Sequence, residues 1–150
     1  MSKLFVDKTI EINASIAQVW DVLTRREMTG KWASEFTGGA PFYIESEWKL
    51  GSPVLWKDQN GNVVVEGTVT ALEPYRLLRF TVFDVRSEKP VVTEEDGITY
   101  RLSEQGGKTM LQVRQGDFSG MDEGEKFHRM SEEVWERVLP EVKALAEQGS

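Results

Sequence analysis

Few side chains in this sequence could make or break bonds, and many could line a pocket. His128 is the only histidine and the only group whose ordinary titration lies near neutrality, so general acid or base work would fall to it. Glu132, four residues on, could orient the ring from the next helical turn. There is no Cys, which excludes a disulfide, a thiolate metal site and a cysteine nucleophile. One histidine excludes multi-histidine metal centres, and no Asp-rich loop has the spacing that hard cations need, so neither a metal nor a cofactor is expected. Ser34, Ser103 and Ser119 lack a nucleophile-elbow pattern. Gly38-Gly39 and Gly106-Gly107 read as turn glycines and lack the helix-opening spacing that cradles phosphate. The catalytic inventory ends with His128.

The pocket inventory is larger. Trp32, Phe36, Trp48, Trp56, Phe80, Tyr100, Phe118 and Trp135 offer apolar bodies, several with one polar tip, which suits a flat amphipathic molecule. Packing in a core is the ordinary fate of any one of them. Five Trp in 150 residues are nevertheless more than such a domain needs to fill itself. Met130 and Val134 would join the lining from a helix. Gln115 follows the inward residues Leu111 and Val113; its amide either reaches into the cavity or is wet at a strand end, and both readings stand.

The elements that must position these groups follow from changes of period. Leu4 to Ile12 has apolar residues at 4, 6, 10 and 12, with Lys8 the exception, and reads as a strand with one buried face. Ser15 to Gln18 is a capping box ahead of Ile16, Val19, Trp20 and Leu23 at helical spacing. Thr24 to Glu27 repeats the cap for a second short helix through Met28 and Trp32, which Gly38 to Pro41 ends. Phe42, Ile44, Ser46, Trp48 and Leu50 then share one face of a strand, and Gly51-Ser52-Pro53 breaks it. Val54 to Lys57, an Asp58 to Gly61 hairpin loop, Val63 to Leu72, and Leu77 to Asp84 continue the meander, with Leu78, Phe80 and Val82 facing the core. Residues 86–96 read as a longer polar connection. Ile98, Tyr100 and Leu102 pair across Gln105 to Lys108 with Thr109, Leu111, Val113 and Gln115.

The last element is an amphipathic helix from about Asp122 to Gln148, roughly 39 Å long, capped by Asp122 and Glu125. Phe127, Met130, Val134, Val138, Val142 and Leu145 form its apolar stripe. His128 lies about 80° from the centre of that stripe at 100° per residue, so His128→Gln should cost no more than about 0.5 kcal/mol. Pro140 removes a bond to Glu136 and predicts a kink. The class is α+β, one domain over residues 1–150. A sheet curled around so long a helix leaves room for a ligand between them.

Composition narrows the partners. Hydrophobic residues make up 39% and charged residues 29%, as in an ordinary globular domain. The net charge of −7 opposes nucleic acid and anionic lipid surfaces. No segment is long and apolar enough for a signal peptide or a membrane span, so no membrane insertion is expected and a cytoplasmic location is the default.

The order of elements and several strings resemble the helix-grip superfamily (START-like, SRPBCC), which includes the birch-pollen-allergen group and polyketide cyclase-like proteins. The strings are Ile12 to Ser15 leading to Val19-Trp20, Lys31-Trp32, Trp48 to Val54, and Glu66 to Val69 before Glu73-Pro74. Thr109, Leu111 and Val113 ahead of Gly116 to Phe118, and Trp135, complete the set. Within the superfamily the chain is most similar to the branch related to the activator of the heat-shock chaperone ATPase. The resemblance implies a curved antiparallel sheet of about six or seven strands around the C-terminal helix, with two short helices after the first strand. Three functions follow from it. The first is binding of a small hydrophobic or amphipathic molecule, lipid included, between sheet and helix. The second is a cyclase- or hydrolase-like enzyme using the same pocket. The third is an interaction module with a chaperone contact or a homodimer. Binding ranks first because no catalytic constellation is legible.

Overall fold

In a computed structural model, residues 4–32, 42–81, 83–84, 97–116, 118 and 124–148 are described. Strand β1 (Val6–Ile12) leads to helices α1 (Ile16–Thr24) and α2 (Arg26–Trp32). Strands β2 (Phe42–Ser46), β3 (Pro53–Asp58), β4 (Val63–Glu73), β5 (Leu77–Phe80), β6 (Phe83–Asp84), β7 (Gly97–Gln105) and β8 (Lys108–Gly116) follow, and α3 (Gly124–Gln148) ends the chain. The sheet is antiparallel in the order β1-β8-β7-β5-β4-β3-β2, with β6 paired to β4. It curls as a half-barrel around α3, and the α+β helix-grip expectation holds.

Local chemistry explains most boundaries. Ser15 Oγ accepts the Gln18 N–H while Gln18 Oε1 accepts the Ser15 N–H, closing the expected capping box. The second expected cap does not form. Thr24 is still inside α1, and its hydroxyl donates back to the Trp20 carbonyl at 2.8 Å. Arg25 instead supplies the carbonyl that accepts from Met28 and Thr29. The hairpin after β3 forms as expected: Asp58 Oδ1 accepts from the Asn60 and Asn62 N–H groups, and Gly61 takes φ +82. Between β5 and β6 the ladder is interrupted. Thr81 N–H donates to the Thr68 carbonyl, and its backbone comes so close to Gly67 that a Cβ there would sit 1.7 Å from Thr81 O.

Two further expectations need correction. The first strand of the meander ends at Ser46, so Ser46 shares the face of Phe42 and Ile44 but Trp48 and Leu50 do not extend it. Trp48 has φ +53 and Leu50 is 70% exposed. Residues 47–52 form a turn tied by Ser46 Oγ to the Trp48 N–H and by Ser52 Oγ to the Lys49 N–H. The stripe on α3 is also rotated. Trp135, Val138, Leu139, Val142 and Ala146 are buried, whereas Phe127 is 39% and Met130 50% exposed. At 100° per residue His128 falls within about 30° of the centre of the buried set, not at its edge. Pro140 lies on the exposed side of a helix that continues through it, so the Glu136 carbonyl it frees can be hydrated.

Both ends of the strand order are covered by helix side chains. Along β1, His128 meets the Phe5 carbonyl, Lys143 Nζ donates to the Glu11 carbonyl at 3.1 Å, and Glu147 accepts the Asn13 N–H at 2.8 Å. Lys8, the odd residue in the strand pattern, reaches Glu136 at 3.1 Å. On β2, the buried Thr29 hydroxyl both accepts from Ile44 N–H and donates to the Ile44 carbonyl. Edge groups that could pair with another strand are thereby engaged.

Candidate functional site

The inward parity of β5, β7 and β8 and the buried face of α3 converge on four aromatic residues. Trp48, Phe80, Tyr100 and Trp135 form a chain of edge-on contacts with centroid separations of 5.6, 5.8 and 6.2 Å. This geometry sets ring edges against ring faces and is favourable by about 0.5–1.5 kcal/mol per pair beyond burial. Phe80, Tyr100 and Trp135 are at most 1% exposed.

Each polar tip in the chain has a different fate. Trp48 Nε1 donates to the Thr24 carbonyl at 2.8 Å, which draws the indole onto the end of α1. That bond and the Phe80 contact hold Trp48 in the left-handed region, where a side chain costs about 1–2 kcal/mol. Trp135 Nε1 donates to Gln115 Oε1 at 2.8 Å. Gln115 therefore points inward, and its amide orients the indole of α3. Tyr100 Oη is buried and has no hydrogen-bond partner among the described residues. Burial pushes its pKa well above the ordinary tyrosine value, so the hydroxyl stays neutral and able to donate.

The remaining described candidates have contacts of their own. Trp32 is fully buried, and its Nε1 donates to the Val22 carbonyl, pinning α2 to α1. Trp56 packs on Phe42 in the β2–β3 hairpin, at 5.7 Å. Phe118 is buried, bonds through its N–H to the Leu4 carbonyl, and meets His128 edge-on at 5.9 Å. Val134 is half-buried against the core, Met130 points outward, and Phe36 lies outside the described residues.

His128 ties α3 to the residue ahead of β1. Its Nε2 lies 2.8 Å from the Phe5 carbonyl, which can only accept, so Nε2 carries the proton. Nδ1 is 3.7 Å from Glu132 Oε1. Among the described residues, no group of three His, Cys, Asp or Glu side chains could hold a metal.

A concave region on the outer side of the sheet was not foreseen from the sequence. A depression of about 490 Å³ lies on the outer face of β1, β8 and β7, lined by Thr9, Arg101, Leu102, Ser103, Gln105, Met110 and Gln112. The available signal was parity: Arg101, Ser103 and Gln105 alternate with the inward Tyr100 and Leu102.

A curled antiparallel sheet gripping a C-terminal helix, with an aromatic interior between them, defines a helix-grip protein. The pattern of the Activator of Hsp90 ATPase homolog 1-like protein family matches residues 13–147, and the chain belongs to that family. This is the branch that the sequence strings resemble. The solution structure of a Cytophaga hutchinsonii protein is 24% identical, covers 99% of this chain and 98% of its own, and superposes with a TM-score of 0.71. The solution structure of the Aha1 dimer from Colwellia psychrerythraea is 18% identical, with 98% of each chain covered and a TM-score of 0.72. CalU16 from Micromonospora echinospora is 18% identical over 95% of this chain and 75% of its own, with a TM-score of 0.68. At these identities the structures share the fold. No curated protein is significantly similar in sequence. Among the described residues no helix is long and apolar enough to cross a membrane.

Proposed function

We propose that this protein binds a small apolar or amphipathic molecule between the sheet and α3, with a hydrogen-bonding group of the ligand at Tyr100 Oη. The observation that carries the reading is the orphaned Tyr100 hydroxyl inside the Trp48–Phe80–Tyr100–Trp135 chain. A buried hydroxyl without a partner costs about 1–3 kcal/mol, and an acceptor on a ligand would recover it. The strained, half-buried Trp48 beside Phe80 is the aromatic of the four best placed to rearrange on binding, because strain of this kind is relieved by movement. A cytoplasmic setting belongs to the same reading. Native mass spectrometry of protein purified from its host tests it: a co-purified small molecule that is lost on denaturation is expected, and a bare chain at every preparation overturns it.

A second reading is favoured by the family match and by the dimer among its structural relatives. In it the protein is a chaperone-associated module or a homodimer. Stimulation of an Hsp90-class ATPase by the purified chain would support that reading, and a monomer without effect on the ATPase would remove it.

A further inference from the structure

The outer face of the sheet carries a patch that interior ligand binding does not use. Arg79 on β5, Arg101 on β7 and Arg114 on β8 share the outward parity. The ladders place Thr99 between Arg79 and Arg114 in one cross-strand row, and Arg101 between Leu77 and Gln112 in the next. Arg101 is therefore the diagonal neighbour of both other arginines, about 7–8 Å away along the backbone. Three guanidinium groups gather in this way on a chain whose net charge is −7.

Glu11, on the same face, pairs with Lys108 at 3.1 Å. Asp7, opposite Arg114 in the β1–β8 ladder, accepts from the neutral Gln112 amide at 2.9 Å and keeps its charge, so the three cations of the patch outnumber the carboxylate at its β1 edge. Arg114 lies over the Phe5 ring at 4.0 Å, which fixes the plane of its guanidinium without cancelling its charge. Arg79 donates to the Thr99 hydroxyl at 2.8 Å. Arg101 is exposed and, among the described residues, has no ion-pair partner. It borders the depression on this face, where Thr9, Ser103 and Gln112 supply hydroxyl and amide groups.

We propose that this face docks a short acidic protein segment in extended conformation. Side chains at alternate positions of an extended segment are about 6.8 Å apart, close to the diagonal spacing of the arginines. Guanidinium groups take carboxylates bidentately, and the hydroxyls and amides of the depression can satisfy the segment's backbone. Addition as an extra strand is disfavoured, because helix side chains already engage edge groups of β1 and β2. A long polyanion such as RNA would leave the patch and meet the repulsion of the acidic remainder. A short segment stays within it.

Fluorescence anisotropy with a labelled oligoglutamate peptide of about ten residues, enough to cross the four strands at ~4.8 Å spacing, tests the proposal at low ionic strength. The full chain should bind saturably, and the affinity should fall at least about tenfold in Arg101→Gln/Arg114→Gln and steeply with added salt. Lys31→Gln, an exposed cation on α2, should leave binding unchanged. If the double variant fails to fold by circular dichroism, Arg101→Gln alone serves, since its side chain is exposed. Three outcomes overturn the proposal: no saturable binding by the unaltered chain, an equal loss in Lys31→Gln, or equally tight binding of a single-stranded oligonucleotide of matched charge.

Discussion

Replacing Tyr100 by Phe separates stability from function. The substitution deletes one oxygen that is buried and has no partner among the described residues, and keeps the ring that meets Phe80 at 5.8 Å and Trp135 at 6.2 Å. Leaving a hydroxyl unsatisfied costs about 1–3 kcal/mol, so its removal returns up to that amount to the ligand-free protein. The void of one oxygen forfeits several van der Waals contacts at about 0.1–0.2 kcal/mol each, which trims the gain to roughly 0.5–2 kcal/mol. For a chain of this size that is a rise in melting temperature of about 1–8 °C, at 2–4 °C per kcal/mol. Urea unfolding of ligand-free Tyr100→Phe should show a higher midpoint with an unchanged slope, while affinity for a polar-tipped ligand falls about five- to tenfold, the worth of roughly 1 kcal/mol of hydrogen bond. A variant less stable than the parent by about 1 kcal/mol or more would mean that the hydroxyl already has a partner in the ligand-free protein.

Gln115→Leu removes the acceptor of the Trp135 indole N–H and should destabilise the protein by about 1–3 kcal/mol, read from chemical denaturation, whereas Gln115→Glu keeps an acceptor and should cost less. His128→Gln removes the hydrogen bond to the Phe5 carbonyl and should cost about 0.5–1.5 kcal/mol in the same assay, above the range of an ordinary surface change. The Glu147 pKa is held below its ordinary 4.5 by the Lys143 ammonium and the Asn13 N–H. A lowered folded-state pKa gives stability that is present above 4.5 and lost as pH falls through the lowered value, so Glu147→Gln should flatten the acid limb of a melting-temperature profile below pH 4.5 and leave its shape at higher pH unchanged.

The architecture was legible because both ends of the chain change period, and the register Ile98–Gln115 and Tyr100–Val113 follows directly from the alternation of inward residues. Gly51 to Pro53 marked a break, but the start of the turn at residue 47 was not legible. Trp48 and Leu50 continue a period of two by residue type, and only a tertiary bond from the Trp48 indole to Thr24 shows why the backbone leaves the strand. The stripe on α3 was misplaced for a similar reason. Phe127 and Met130 are apolar yet exposed, so counting them turned the wheel away from Trp135, Leu139 and Ala146. His128 changed meaning with that rotation, from a rim residue to a brace on β1. Gln115 was legible as two alternatives, and the position of Trp135 chose between them. The Tyr100 hydroxyl left no trace in the sequence, because an orphaned polar atom is defined by what its neighbours fail to offer.

Titration of the ligand-free protein with a hydrophobic fluorescent probe, alongside Leu111→Trp, tests interior binding most directly. Leu111 is fully buried on the inward face of β8, so a larger side chain there would take up room a ligand needs in the interior. Interior binding predicts saturable uptake by the parent at micromolar affinity, about −8 kcal/mol, and loss of uptake in Leu111→Trp while circular dichroism shows the fold retained. No uptake by the parent, or undiminished uptake by the folded variant, would contradict it.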